Sequence, residues 1–148
     1  MNDEEKIGTK PNPTSLPHRI LVVDDESAMR HLIATALTPC GYHVDAAEDG
    51  AAAWEALQVK QYDLVITDNN MPKVSGVELI EKLHATAKAL PVIMATGEAP
   101  EHEFRRKPWL QPAAMLLKPF SVRDLRETVE RTLRAALGPP KADDSYVL

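Results

Sequence analysis

The chain has 148 residues, of which 44% are apolar and 26% charged, and a formal charge of −5. That length suits one domain with a real core, and the negative charge disfavours bulk binding to nucleic acid. No apolar run has membrane-spanning length, residues 1–17 lack the apolar stretch of a secretory signal, and the lone Cys40 excludes an internal disulfide and suits the cytoplasm.

Residues 1–17 are polar and carry Pro11, Pro13 and Pro17. They bury too little apolar area to offset ordering, so a disordered tail is expected. Residues 19–23 read as a strand covered on both faces. Ser27 is the expected cap of a helix to about Thr38, with Met29, Leu32, Ile33, Ala36 and Leu37 on one face. Pro39 and Gly41 stop it, and Cys40 there is expected to serve packing. Residues 42–47 alternate in polarity, which fits an edge strand. Asp49 is the expected cap of an alanine-rich helix over 51–58, and 63–67 is the next buried strand. The loop NNMPKVSG follows Asp68. Ser75 and Glu78 form a capping box for a third helix ending near Thr86.

Residues 91–95 read as a strand, and Thr96 and Gly97 begin its loop. A short helix over 101–107 is limited by Pro108 and Pro112. A fifth strand spans 113–117. Ser121 and Asp124 form a second box before a last helix, whose expected buried stripe is Val122, Leu125, Val129, Leu133 and Ala136. Gly138, Pro139 and Pro140 end it, and 138–148 is a short tail. Five strands alternating with five helices predict an α/β domain over 18–137, a parallel sheet with helices on both faces.

The acidic residues sit at telling places. Asp24 and Asp25 follow ILVV, Asp68 follows LVIT, and Lys118 follows MLL. In a parallel α/β sheet the loops after the strands share one edge, where ligands bind. Carboxylates gathered there repel, by about 4 kcal/mol for a pair ~4 Å apart at an effective dielectric near 20. An all-oxygen cluster of this kind calls for a hard cation, and magnesium around Asp68 is the expectation.

These motifs resemble those of the response-regulator receiver domain, the phosphoacceptor part of two-component signalling. ILVVDDE is similar to that family's first strand and acidic pair, DNNMPKVSG to its acceptor loop, PVIMATG to its hydroxyl-ended strand and LLKPF to its lysine–proline step. The resemblance covers about residues 19–137. It implies a flavodoxin-like doubly wound sheet of strand order 2-1-3-4-5. It implies that Asp68 accepts a phosphoryl group from a histidine kinase or histidine phosphotransfer protein. Asp25 then resembles the direct Mg2+ ligand, Asp24 helps through water, and Asn70 offers its backbone carbonyl. Lys118 resembles the cation that pairs with Asp68 and then with the phosphoryl oxygens, and Thr96 the hydroxyl that moves to meet them. The bond before Pro119 is expected to be cis. Asn70 and Glu98 flank the path of the hydrolytic water, with the small Gly97 between, which implies a short-lived phosphoryl state.

The same resemblance implies no turnover beyond the chain's own phosphorylation and dephosphorylation. The output is expected to pass through an effector protein, with no direct nucleic-acid or membrane contact, since only about eleven residues follow the last helix. Two departures stand out. Met115 occupies the position where the family often has Tyr or Phe, so the aromatic part of the usual switch is in question. The segment APEHEFRRKPWLQP replaces a longer helix. There Trp109 with Arg105, Arg106 and Lys107 either forms a docking surface or packs with Phe104 while the bases are solvated; packing is the expected outcome. The five histidines show no metal-ligand spacing. A dehalogenase-type phosphatase needs D-x-D where this chain has Asp68-Asn69-Asn70, and a flavin-type binder needs a phosphate loop where it has the acidic DDES. A phosphorylation-independent receiver-like binding module is the remaining alternative.

Overall fold

A computed structural model describes residues 17–137; the expected tails at 1–17 and 138–148 lie outside them except for Pro17. In chain order the elements are β1 (Arg19–Val23), α1 (Ser27–Leu37), β2 (His43–Ala47), α2 (Gly50–Val59), β3 (Leu64–Thr67), α3 (Gly76–Ala85), β4 (Val92–Thr96), α4 (Glu101–Arg106), β5 (Ala114–Leu117) and α5 (Val122–Leu137). Short 3-10 turns at Thr38–Cys40 and Pro108–Leu110 follow α1 and α4. The strands form one parallel sheet of order β2-β1-β3-β4-β5, the order that the resemblance implied.

Strand periodicity divides the core. Leu21, Val23, Val65 and Met94 face one side and pack with Ala53 and Leu57 of α2, Leu79 and Leu83 of α3, and Phe104 and Leu110. Their neighbours Ile20, Val22, Ile66 and Ile93 face the other side, against Ile33 and Leu37 of α1 and Leu125, Val129 and Leu133 of α5. Successive strand side chains point to opposite faces, so continuous apolar strands need helices on both. The half-exposed β2 is an edge, as its alternation predicted.

The caps largely follow the sequence. The Asp49 carboxylate accepts from the Ala52 amide at 2.7 Å. Ser75 and Glu78 complete both arms of the capping box, and Ser121 accepts from the Asp124 amide at 2.9 Å. Ser27 does not cap α1. Glu26 holds that position without a side-chain bond; its carbonyl accepts from the Met29 and Arg30 amides, and its own amide donates to Asp24 Oδ1 at 2.9 Å.

Three expected core positions are outside. Leu32 is 42% and Val122 40% exposed, and Ala136 is exposed. The α5 stripe is Leu125, Thr128, Val129, Thr132 and Leu133, a three-and-four pattern that the two threonines hide. Cys40 is exposed rather than packed.

Candidate functional site

The sheet reverses direction of growth between β1 and β3, and the loops leaving these two strands open a crevice. Val23 pairs with Thr67, so the next residues, Asp24 and Asp68, stand side by side. The backbone ties them there: the Asp68 amide donates to the Val23 carbonyl at 3.0 Å, and the Asp24 amide to the Ala47 carbonyl at 3.2 Å. One carboxylate oxygen from each of Asp24, Asp25 and Asp68 falls within 4.8 Å of the others. Asp24 and Asp68 are buried and Asp25 is exposed. The Asn70 carbonyl is on the exposed start of the same acceptor loop.

Lys118 enters from β5. Its Nζ donates to Asp24 Oδ2 at 2.8 Å and to Asp68 Oδ2 at 3.2 Å. The bond before Pro119 is cis. Burial pushes the Lys118 ammonium toward lower pKa, but its bonds to Asp24 and then Asp68 outweigh that and leave it above the ordinary value. The other oxygen of Asp68 is held by the Asn69 amide at 2.6 Å and, longer, the Asn70 amide at 3.4 Å. Thr96 is fully buried at the end of β4. Its hydroxyl donates to the Glu98 carbonyl at 3.4 Å, and its carbonyl accepts from the Lys118 amide at 2.9 Å. Asn70 and Glu98 are both exposed beside the site.

Some contributors escape sequence reading. Arg30 Nη1 donates to the Asp24 carbonyl at 2.7 Å; in sequence it is one more surface arginine on α1. Lys73 Nζ lies 3.7 Å from the buried Asp49, which ties the acceptor loop to α2. Gly76 ends the motif for a steric reason: a Cβ there would sit 2.5 Å from the Asp68 carbonyl oxygen.

The donor set is oxygen throughout and carries three formal negative charges against one ammonium. That fits a hard divalent cation, and it is hostile to a bare anion.

A family model of the response regulator receiver domain matches residues 20–130. The response regulator receiver protein CpdR of Brucella abortus is 36% identical over 123 residues, covering 80% of this chain and 98% of that protein. The chemotaxis protein CheY-3 of Vibrio cholerae is 33% identical over 116 residues, covering 76% and 89%. Among solved structures, a CheY-like receiver domain protein from Methanospirillum hungatei superposes with a TM-score of 0.76 at 30% identity, over 82% of this chain and 97% of that one. The response regulator TrrA of Thermotoga maritima, solved with Mg2+ and BeF, gives 0.68 at 33% identity, over 78% and 98%. The chain belongs to the response-regulator receiver family of two-component signalling. No helix among the described residues is long and apolar enough to cross a membrane.

Proposed function

We propose that Asp68 accepts a phosphoryl group from a phosphohistidine on a histidine kinase or histidine phosphotransfer protein. The observation that supports this best is Lys118, whose ammonium bridges Asp24 and Asp68 at 2.8 and 3.2 Å. A cation so placed balances the acceptor before transfer and can follow the negative charge onto the phosphoryl oxygens afterwards. In the step, an Asp68 oxygen bonds to phosphorus, the phosphorus–imidazole bond breaks, and its electron pair leaves on the ring nitrogen, which is protonated. The product is a mixed anhydride. The Asn69 amide keeps the Asp68 carboxylate from rotating during this exchange.

Asp25, Asp68 and the Asn70 carbonyl would hold Mg2+, with Asp24 acting through water. TrrA, solved with Mg2+, supports the choice of ion. Bound there, the ion supplies charge neutralisation for the transferring group. The phosphoryl group adds about −1.5 to −2 charge, on the scale of a phosphoserine. That charge shifts a pre-existing equilibrium which an effector protein reads, and Thr96 is the hydroxyl placed to follow it. The chain turns over no outside substrate; it drives only its own phosphorylation and dephosphorylation.

Intact-protein mass spectrometry after a small phosphodonor, with and without Mg2+, tests the reading. A Mg2+-dependent gain of one phosphoryl group, lost in Asp68→Ala, is the expected result. No gain under either condition would make the chain a phosphorylation-independent binding module.

A further inference from the structure

Segments 82–97 and 104–117 hold five lysines and arginines and no aspartate or glutamate, in a chain of formal charge −5. β4 and β5 pair in parallel, so the loops entering them meet on one face. An apolar groove of about 480 Å3 opens there, walled by Ile80, Leu83, His84, Leu90, Pro91 and Pro112. Trp109 extends it: its ring stands edge-on to His84 with centroids 4.9 Å apart, and it remains 49% exposed.

The local sequence forces Trp109 outward. Pro108 opens a 3-10 turn, and Leu110, at 1% exposure, and Phe104, at 8%, take the inward places. The expectation that both rings pack on the domain therefore holds fully for Phe104 and for one side of Trp109, whose ring rests on His84 and leaves the rest exposed. Nor are all the bases merely solvated. Lys107 pairs with Glu81 at 3.1 Å, which neutralises the carboxylate at the border of the groove, and Arg105 pairs with Glu101 at 3.7 Å. Lys82 lies over the Trp54 ring. Among the described residues neither Lys88, in the groove wall, nor the exposed Arg106 has a carboxylate partner.

We propose that this face docks an acidic polypeptide segment carrying an apolar anchor. The anchor fills the groove against Trp109, and flanking carboxylates reach Lys88 and Arg106. A half-exposed tryptophan beside an apolar pocket is the residue type that dominates interfaces, and unpaired cations on an acidic protein select a partner of opposite sign. Two unpaired cations neutralise few phosphates of a nucleic-acid backbone, and one ring is a poor stacking platform. The groove lies at the start of β4 and β5, whereas Thr96 and Lys118 lie at their ends. The four residue steps from Val92 to Thr96 separate them by about 13 Å, so docking leaves Asp68 open to its donor. The proposal stands apart from the phosphoacceptor reading.

A random dodecapeptide phage library selected against the full chain tests it. Enriched peptides are expected to carry Asp or Glu around an aliphatic or aromatic residue. Their affinity is expected to fall about tenfold or more in both Trp109→Ala and Lys88→Glu, with phosphodonor labelling of both variants unchanged. Circular dichroism checks folding, and exposed Lys88 provides a readout should Trp109→Ala misfold. No enrichment, basic or neutral peptides, or peptides indifferent to both variants would overturn the proposal. So would Trp109-dependent self-association in sedimentation velocity, or oligonucleotide binding lost in both variants; these would give the face to a second copy or to nucleic acid.

Discussion

Asp45 on β2 accepts a hydrogen bond from the Tyr62 hydroxyl at 2.6 Å, and the pair sets a pH window for stability. The Tyr62 bond holds the Asp45 carboxyl below its ordinary value, against the opposing effect of burial. Burial, then Asp45 itself, pushes the Tyr62 phenol above its own. A depressed carboxylate contributes stability above about pH 4, lost as pH falls through its folded value; a raised phenol contributes below about pH 10, lost above it. Tyr62→Phe should therefore cost about 1–2 kcal/mol at pH 7 and less at pH 3. Urea denaturation at both values checks this, and an equal cost at both would refute the linkage. Such a pair is not legible in the sequence, because it depends on how β2 and the approach to β3 are placed. Asp24, Asp68 and Lys118 are legible because each ends an apolar run. At the site itself, Asn70 and Glu98 both stand exposed. Asn70→Leu and Glu98→Leu should each slow loss of the phosphoryl group several-fold, followed by mass spectrometry after donor removal; unchanged decay in both would sink that role.

The first turn of α2 presses on the acceptor loop. A Cβ on Gly50 would lie 2.1 Å from the Val74 carbonyl oxygen and 2.8 Å from its carbonyl carbon. Backbone cannot rotate away as a side chain can, so Gly50→Ala must move the loop that carries Asn70. Overpacking of this kind costs about 1–3 kcal/mol, and the initial rate of Asp68 labelling should fall at least several-fold. Gly97→Ala is the control: nothing lies within 4 Å of its Cβ, so stability should change by less than about 0.5 kcal/mol and labelling should hold. Equal damage from both substitutions would show that close approach is not the cause. Capping chemistry made α2 and α3 readable in advance, since Asp49 and Ser75 announce their starts. It misplaced the cap of α1 because the Met29 and Arg30 amides, which a Ser27 cap would have served, both donate to the Glu26 carbonyl instead.

Across the whole molecule, alternating strands and helices made the architecture legible, while shape at the surface was not. Leu32, Val122 and Trp109 are exposed by 40% or more, and no periodicity distinguishes a rim position from a core one. The charge budget is just as lopsided. Two apolar clusters stabilise the sheet from either face, while Asp24, Asp25 and Asp68 crowd within 4.8 Å at one edge and oppose them. At that spacing a dry pair would cost about 3–4 kcal/mol at an effective dielectric of 20, but exposed Asp25 is screened, leaving roughly 1 kcal/mol. Asp25→Asn should therefore unfold about 1 kcal/mol later than the native chain in chelator, a rise of about 4 °C. With Mg2+ at a hundred times its dissociation constant, the native chain gains about 2.7 kcal/mol by mass action. The variant, short of one ligand, should gain less than about 1 kcal/mol, so the order of stability reverses. Urea titrations with and without Mg2+ read both effects together. A variant weaker than the native chain in chelator would remove the repulsion argument, and an equal Mg2+ gain would remove Asp25 from the ligand set.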